Sequence, residues 1–405
     1  MRFCLLLIIS FFGWMSSVDA QEEFPVFISG QENYTSYRIP AIISMPDGRL
    51  LAFAEGRVHH TGDFGDVNIV LKISRDRGKT WDNLRTIVDY DELHAGNPAP
   101  VIDMADPNYP NGRIFLFYNT GNNTEYDIRK GNGYREVWYI TSEDGGETWT
   151  QAVNITTQVH RPQQPEVNPD YDFQENWRAY ANTPGHALQF SWGKYRGRIY
   201  VPAYHSSGDL QFDARDYHAH GYYTDDHGKT FQVSQPISLG GGNEATAAQF
   251  SEEGLMMNVR NQNGSVKARF IALSNDGGET WYREYFDRNL PDPVCEGSLL
   301  NVNRRVIAFC NNADTSGRNN LTLRLSTNRG ESWFQKTLIY SNDKVNDASG
   351  YSDIVNVNDR TIGVLYEKDN YSSIVFTTVE WSIPVYKALP KKKSHVVKKS
   401  NRKRR

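Results

Sequence analysis

Five segments of the chain repeat one another. SRDRGKTW (74–81), SEDGGETW (142–149), TDDHGKTF (224–231), SNDGGETW (274–281) and STNRGESW (326–333) share the pattern (S/T)x(D/N)xGx(S/T)(W/F). A chain repeating at such intervals must stack like units, because one unit is too small to bury its own apolar face. The residue types suit a hairpin turn. Asp76 and its counterparts can accept backbone N–H bonds, Gly78 and its counterparts can take positive φ, and the closing aromatic can anchor in the next layer. Strand-like runs such as NIVLKIS, REVWYITS, ARFIALS and NLTLRLS precede the copies, and few stretches show the 3.6-residue apolar period of a helix. Successive copies start 68, 82, 50 and 52 residues apart. That is too long for one hairpin and fits a three- or four-stranded sheet with loops. At about 60 residues per blade, the expected fold is an all-β, six-bladed β-propeller in which one blade lacks a box. The longest interval holds HRPQQPEVNPDYDFQENW (160–177), which reads as an ordered loop insertion.

Composition narrows the class. A mean hydropathy of -0.62 with 23% charged residues excludes a polytopic membrane protein, and 19 Phe, 23 Tyr and 9 Trp exclude a chain disordered throughout. The net charge of -4 conceals nine Lys/Arg and no acid in residues 391–405. The remaining body is acidic and suits no nucleic-acid backbone. Residues 1–20, with an apolar run from Phe3 to Trp14 and a Val18-Asp19-Ala20 end, read as a signal peptide. The expected domains are therefore the leader (1–20), the propeller (21–387) and a disordered basic tail (388–405), and the expected route is secretory, ending outside the cell or in the lysosome. Sequons start at Asn33, Asn122, Asn154, Asn263, Asn320 and Asn370. A turn at Val302-Asn303 would set Cys295 opposite Cys310, which makes a disulfide the expectation in an oxidising compartment and two buried free thiols the alternative. No histidine shows metal-ligand spacing.

The repeats are similar to the Asp boxes of exo-α-sialidases (neuraminidases), and the resemblance runs from about Tyr37 to Trp381. Tyr37-Arg38-Ile39-Pro40 resembles that family's (F/Y)RIP motif. Arg260 in LMMNVRNQNG and Arg318 in SGRNNLTLRLS resemble the second and third members of its arginine triad. Sialic acid carries a carboxylate on its anomeric carbon, so a site for it should gather guanidinium groups from separate parts of the chain. The same carboxylate repels an anionic nucleophile and favours a phenol; sialidases with a tyrosine nucleophile are the recognised exception to the two-carboxylate scheme.

The resemblance then implies roles residue by residue. Tyr351 in ASGYSDIV is the implied nucleophile, and Glu244 in GGGNEATAAQF the base that an un-ionised phenol needs. Asp63 is the implied general acid and matches the family position better than Asp66, which lies nearer the strand. Arg57 is expected to contact the substrate or the site carboxylates, and Glu367 in GVLYEKD to orient Arg38. Asn97, Trp138, Tyr180 and His186 are loose candidates for the acyl and glycerol pockets. No cofactor is implied. The implied activity is release of terminal sialic acid from glycoconjugates by a monomer, with a trans-sialidase, an intramolecular trans-sialidase or a non-catalytic sialic-acid-binding propeller as rivals. The basic tail offers a contact to membranes or anionic glycans, or none. Because Asn320 lies two residues from Arg318, it is expected to carry no glycan.

Overall fold

The computed structural model describes residues 21–383; the expected leader and basic tail lie outside them. The body is built of antiparallel meanders. Ser36–Ser44, Leu50–Arg57 and Val67–Ser74 pair in chain order, as do His94–Asp103, Arg113–Gly121 and Arg135–Ser142. The third run holds Trp177–Asn182, Ile199–Ser207 and Tyr217–Thr224, and the fourth Gly242–Gln249, Leu255–Asn261, Ala268–Ser274 and Arg283–Pro291. Gly297–Asn303, Val306–Asn312, Leu321–Ser326 and Phe334–Tyr340 form the fifth; Ser349–Asn358, Thr361–Lys368 and Ser373–Glu380 form the last.

The first strands meet in cyclic order. Ser36–Ser44 touches His94–Asp103, and contact passes through the third run to Gly242–Gln249, then Gly297–Asn303, then Ser349–Asn358, which returns to Ser36–Ser44. This closed ring is a β-propeller. Its last sheet is completed by the amino-terminal strand Glu23–Ile28, which pairs antiparallel with Ser373–Glu380. Among the described residues, hydrogen bonding joins the strands into five sheets, where six separate ones were expected. The difference arises where the first two runs converge: Val67 and His94 form one parallel pair, which fuses both runs into a single eight-stranded sheet.

The core lies between the sheets. Leu50, Ala52 and Val70 of the first run pack on Leu365 and Phe376 of the last, while Leu51, Phe53 and Leu71 pack on Ile114 and Leu116 of the second. Strands buried on both faces therefore read as apolar runs such as LLAFA. Each repeat box follows the third strand of its run. Ser74 Oγ bonds Asp76 at 2.9 Å and accepts from Gly78 N at 2.7 Å, while Asp76 accepts from the N–H groups of Lys79 and Thr80 at 3.1 and 2.9 Å. Its glycine presses on the preceding run: a Cβ on Gly146 would lie 2.8 Å from Leu51, and one on Gly228 2.6 Å from Phe115. The aromatics do the same, with Trp81 edge-on to Phe376 at 5.7 Å and Trp149 to Phe53 at 6.2 Å. The last run lacks a box for a topological reason. Its third strand is followed in space by Glu23–Ile28, from the other end of the described chain, so no covalent turn joins them.

The expected Cys295–Cys310 disulfide is absent; both thiols are free and buried. The hairpin turns at Arg304-Arg305, not at Val302-Asn303, so Cys310 faces Ser298 and Cys295 precedes the ladder. Cys295 packs against Ile39 and Tyr351, whereas Cys310 joins the apolar layer with Leu323 and Val364. Burial pushes both thiols up to about 12.

Candidate active site

One cavity of about 560 Å³ opens where the runs converge, and its walls carry Arg38, Arg57, Asp63, Glu244, Arg260, Arg318 and Tyr351. These seven side chains span the chain from the first strand of the ring to the last run. Glu367, the eighth expected member, lies behind them and is wholly buried.

Glu367 earns its place through three bonds. Its Oε1 accepts from Arg38 Nε at 2.7 Å and from Ile39 N at 2.9 Å, and its Oε2 accepts from Tyr351 N at 2.8 Å. One carboxylate thus fixes both an arginine and the backbone of the tyrosine. The approach requires Gly350, where a Cβ would fall 2.0 Å from Glu367 Oε2. It also holds Ile39 at φ +56, a strained value for a β-branched residue, beside a bulge between Arg38 and Ala41. Burial opposes the charge of Arg38, but Glu367 outweighs it and holds the guanidinium above its ordinary range. The next N–H, that of Ser352, is held by the buried carboxyl of Glu296 at 2.9 Å, and Asp353 clamps Ile42 N at 2.8 Å and His186 N at 3.0 Å. The YSD segment is pinned residue by residue.

The Tyr351 hydroxyl donates to Glu244 Oε1 and accepts from Arg260 Nη1 at 2.7 Å, and Arg260 also pairs with Glu244 Oε2. Burial pushes the Tyr351 phenol well above its ordinary range, with Arg260 pulling it down and Glu244 pushing it up. The resting group is a neutral phenol whose proton points at a carboxylate. Arg38 and Arg318 each lie 5.5 Å from the Tyr351 ring centre. Loss of a proton from this phenol would therefore occur among three cations.

Arg57 is 1% exposed and forms a double contact with Glu55 Oε2 at 2.8 and 3.3 Å. Its Nη1 binds Asp63 at 2.8 Å, leaving the Asp63 side chain 87% exposed on the loop at the cavity mouth. Asp66 does not line the cavity; its oxygens face Asn68 at 3.4 Å and His59 at 3.6 Å. Of the looser candidates, Asn97 lines the cavity, Trp138 packs in the layer with Tyr118, Tyr180 lies tilted against His160, and His186 pairs with Asp353. The Asn320 amide donates to Asp314 at 3.0 Å, so the nitrogen a glycan would need is engaged.

Sequence reasoning missed two neighbours. Glu55 shares a strand face with Arg57, and the two-residue alternation of a strand could have shown it. Tyr371 had no signal beyond lying shortly after Glu367. Its ring stacks under Arg38 at 4.0 Å and its hydroxyl accepts from Arg318 at 2.7 Å while donating to Asp347 at 2.6 Å. It props two of the three arginines at once.

Comparison with known proteins gives the family and the fold. Residues 48–365 match the BNR repeat-like domain family. The chain is 30% identical over 367 residues to an exo-alpha-sialidase of Arthroderma benhamiae, covering 84% of this chain and 79% of that one. It is 29% identical over 393 residues to an exo-alpha-sialidase of Aspergillus fumigatus, covering 88% and 87%. Among solved structures, the Hadza microbial sialidase Hz136 superposes with a TM-score of 0.73 at 23% identity over 88% of this chain and 68% of that one. The leech intramolecular trans-sialidase does so with 0.66 at 16% identity over 89% and 70%.

Proposed function

The chain belongs to the sialidase family with BNR repeats and is a glycoside hydrolase, and on that premise we propose that it is an exo-α-sialidase retaining configuration through a tyrosine nucleophile. The observation that carries the proposal is the hydrogen-bonded trio of Glu244, Tyr351 and Arg260 inside a cavity that also holds Arg38 and Arg318. Arg38, Arg260 and Arg318 take the substrate carboxylate. Tyr351 Oη then bonds to C2 as its proton passes to Glu244, and the glycosidic oxygen leaves with a proton from Asp63. In the second half Asp63 takes a proton from water, the water oxygen bonds to C2, and Tyr351 departs with the proton held by Glu244. Charge fixed before the reaction stabilises the oxocarbenium-like transition state without reorganisation.

Water is the proposed acceptor because Asp63 stands 87% exposed to it. Product analysis by mass spectrometry separates hydrolysis from transfer: free sialic acid supports this reading, and a 2,7-anhydro sugar or a new sialoside replaces it. We further propose that the eight-stranded sheet counts as two blades, giving six around the ring, and that the enzyme acts as a monomer in the secretory pathway on sialylated glycoconjugates. The direct test is Tyr351→Phe on a fluorogenic 2-α-sialoside. Turnover should fall by about 1,000-fold or more with the melting temperature preserved; a variant within tenfold of wild type would remove Tyr351 from the chemistry.

A further inference from the structure

The cavity occupies one end of the ring, and the other end carries a second cluster of arginines that the proposed mechanism does not use. Arg304 and Arg305 form the hairpin turn between Gly297–Asn303 and Val306–Asn312, whereas Arg318 stands in the loop beyond the far end of Val306–Asn312. The seven residues of that strand separate the two ends by about 20 Å. Arg329 belongs to the fifth box, which follows Leu321–Ser326 and so lies at the same end as the turn. The three arginines line a pocket of about 400 Å³ together with Asn303 and Thr327, and no Asp or Glu lines it.

Their charge is unanswered. All three residues are exposed, and among the described residues none of their guanidinium groups forms an ion pair or a hydrogen bond. At the same end of the first three runs, Arg49 pairs with Asp47, Arg75 and Arg85 with Glu147, Arg113 with Asp106, and Arg198 with Asp225. The fifth box sharpens the contrast, because it carries Asn328 where the other four carry Asp. Glu252, Glu253 and Glu331 are close in sequence, but none of them lines the pocket. From Ile383, on the pocket wall, the chain continues into residues 384–405, which hold ten Lys/Arg and no Asp or Glu. A chain whose body is acidic thus gathers unpaired positive charge in one place.

The arginines are also held in position. Gly330 presses the fifth box onto the fourth run, where a Cβ would fall 2.7 Å from Met256 Cε. Arg329 takes φ +62, at the box position that Gly145 and Gly277 occupy in the second and fourth copies. Its guanidinium lies 5.6 Å from the Phe250 ring centre, and that of Arg304 lies 5.7 Å from the Trp192 ring centre. A guanidinium resting on a ring keeps its N–H fork available and loses little freedom when an oxyanion arrives. We propose that this pocket binds the sulfate groups of a sulfated glycan, holding the protein by the face opposite its cavity while the cavity stays open. Forked arginines match the paired oxygens of a sulfate ester. An anionic bilayer matches the pocket less well, because it is recessed and Ile383 is the one large apolar side chain exposed among the residues lining it, too little to enter an acyl layer.

The test is titration calorimetry of the full chain with a heparin-derived tetrasaccharide and with its desulfated counterpart. Wild type should bind the sulfated form about 10-fold or more tighter than the desulfated one. The triple variant Arg304→Gln, Arg305→Gln, Arg329→Asn should lose about 10- to 100-fold in affinity for the sulfated form, and asparagine suits the positive φ at position 329. Its turnover of a fluorogenic sialoside should stay within about twofold of wild type, because the two sites are far apart. Should the triple variant fail to fold, Arg304→Gln and Arg329→Asn taken singly replace it, each with a loss of about threefold or more. Saturating tetrasaccharide should leave the wild-type KM for the sialoside unchanged. Competitive inhibition would put the tetrasaccharide among the arginines of the cavity and overturn the inference. Unchanged affinity in the variants would assign binding to residues 384–405 and overturn it as well, as would equal binding of the desulfated form. Sedimentation with phosphatidylcholine vesicles containing phosphatidylserine completes the test: vesicle binding that the variants lose while they keep the tetrasaccharide would replace the glycan with a membrane. The calorimetry needs no turnover, so a chain that cleaved no sialoside would overturn the sialidase reading and leave this one standing.

Discussion

The repeat boxes and the cavity are both assemblies of carboxylates, hydroxyls and backbone N–H groups, but they are wired over different distances. In a box every partner lies within four residues: Asp144 accepts from Ser142 Oγ at 2.8 Å, Glu147 N at 3.0 Å and Thr148 N at 2.9 Å. In the cavity Arg38 meets Glu367 across 329 positions, and Tyr351 meets Glu244 across 107. A box closes its own turn and binds one run to the run before it. The cavity exists only once the whole ring has closed. The two regions should therefore fail differently, boxes through stability and cavity through turnover.

Glu244→Gln should divide them most sharply. The amide can still bond Tyr351 but cannot take its proton, so kcat should fall by about 100- to 10,000-fold. Thermal melting measured beside the kinetics should change little by comparison. A melting temperature that collapsed along with activity would mean that the trio is a structural clamp, and the contrast would fail. Glu367→Gln should come next and should blur the boundary, since this carboxylate both aims Arg38 and holds two backbone N–H groups. KM should rise by about 10- to 100-fold, with a loss of stability that Glu244→Gln lacks. Calorimetry with steady-state kinetics checks both; an unchanged KM would remove its orienting role.

Wiring distance also explains what was legible in the sequence. The boxes were readable because each carries its own explanation in eight residues, and an all-β propeller followed from their spacing. Tyr351, Glu244 and the three arginines were reached through motif resemblance, since nothing local marks one tyrosine among 23. Glu55 was missed although strand alternation held the signal. Tyr371 left no local trace, because its role depends on Arg38 and Arg318 arriving from distant parts of the chain. The cysteine pairing failed for a small geometric reason. Moving the hairpin turn to Arg304-Arg305 breaks the opposition of Cys295 and Cys310. Fusion of the first two runs rests on one pair, Val67 with His94, which no residue pattern announces.

Within a box, Gly146→Ala should have a larger effect than loss of the carboxylate charge. Gly146 has φ +91, and the added methyl would stand 2.8 Å from Leu51 in the layer below. Overpacking and backbone strain together should cost about 1–3 kcal/mol, lowering the melting temperature by a few degrees while kcat/KM holds within twofold. A drop in kcat at unchanged stability would show that the rim communicates with the cavity, and the separation of the two regions would need redrawing.

Asp144→Asn should be the mildest change and the most informative about charge, because the fifth box already contains the experiment. There Asn328 accepts from Ser332 N at 3.0 Å as an aspartate would, and its Nδ2 donates to Ser332 Oγ at 2.9 Å, the reverse of the direction in which Thr148 donates to Asp144. The turn geometry therefore survives neutralisation, and only the charge contribution is lost. Burial raises the pKa of Asp144, but the Thr148, Ser142 and Glu147 hydrogen bonds outweigh it and hold the carboxyl at about 2, against 3.8 ordinarily. A folded-state pKa below the unfolded one means stability that is fully present above about 3.8 and is lost as pH falls toward 2. Asp144 is exposed to water, so screening keeps the effect within about 1 kcal/mol. The melting difference between wild type and Asp144→Asn should thus stay constant from neutral pH down to the ordinary carboxylate range and close below it. A difference that instead shrank between neutral pH and about 5 would assign the effect to a group titrating in the histidine range rather than to the box, and the local wiring claimed for these turns would be wrong.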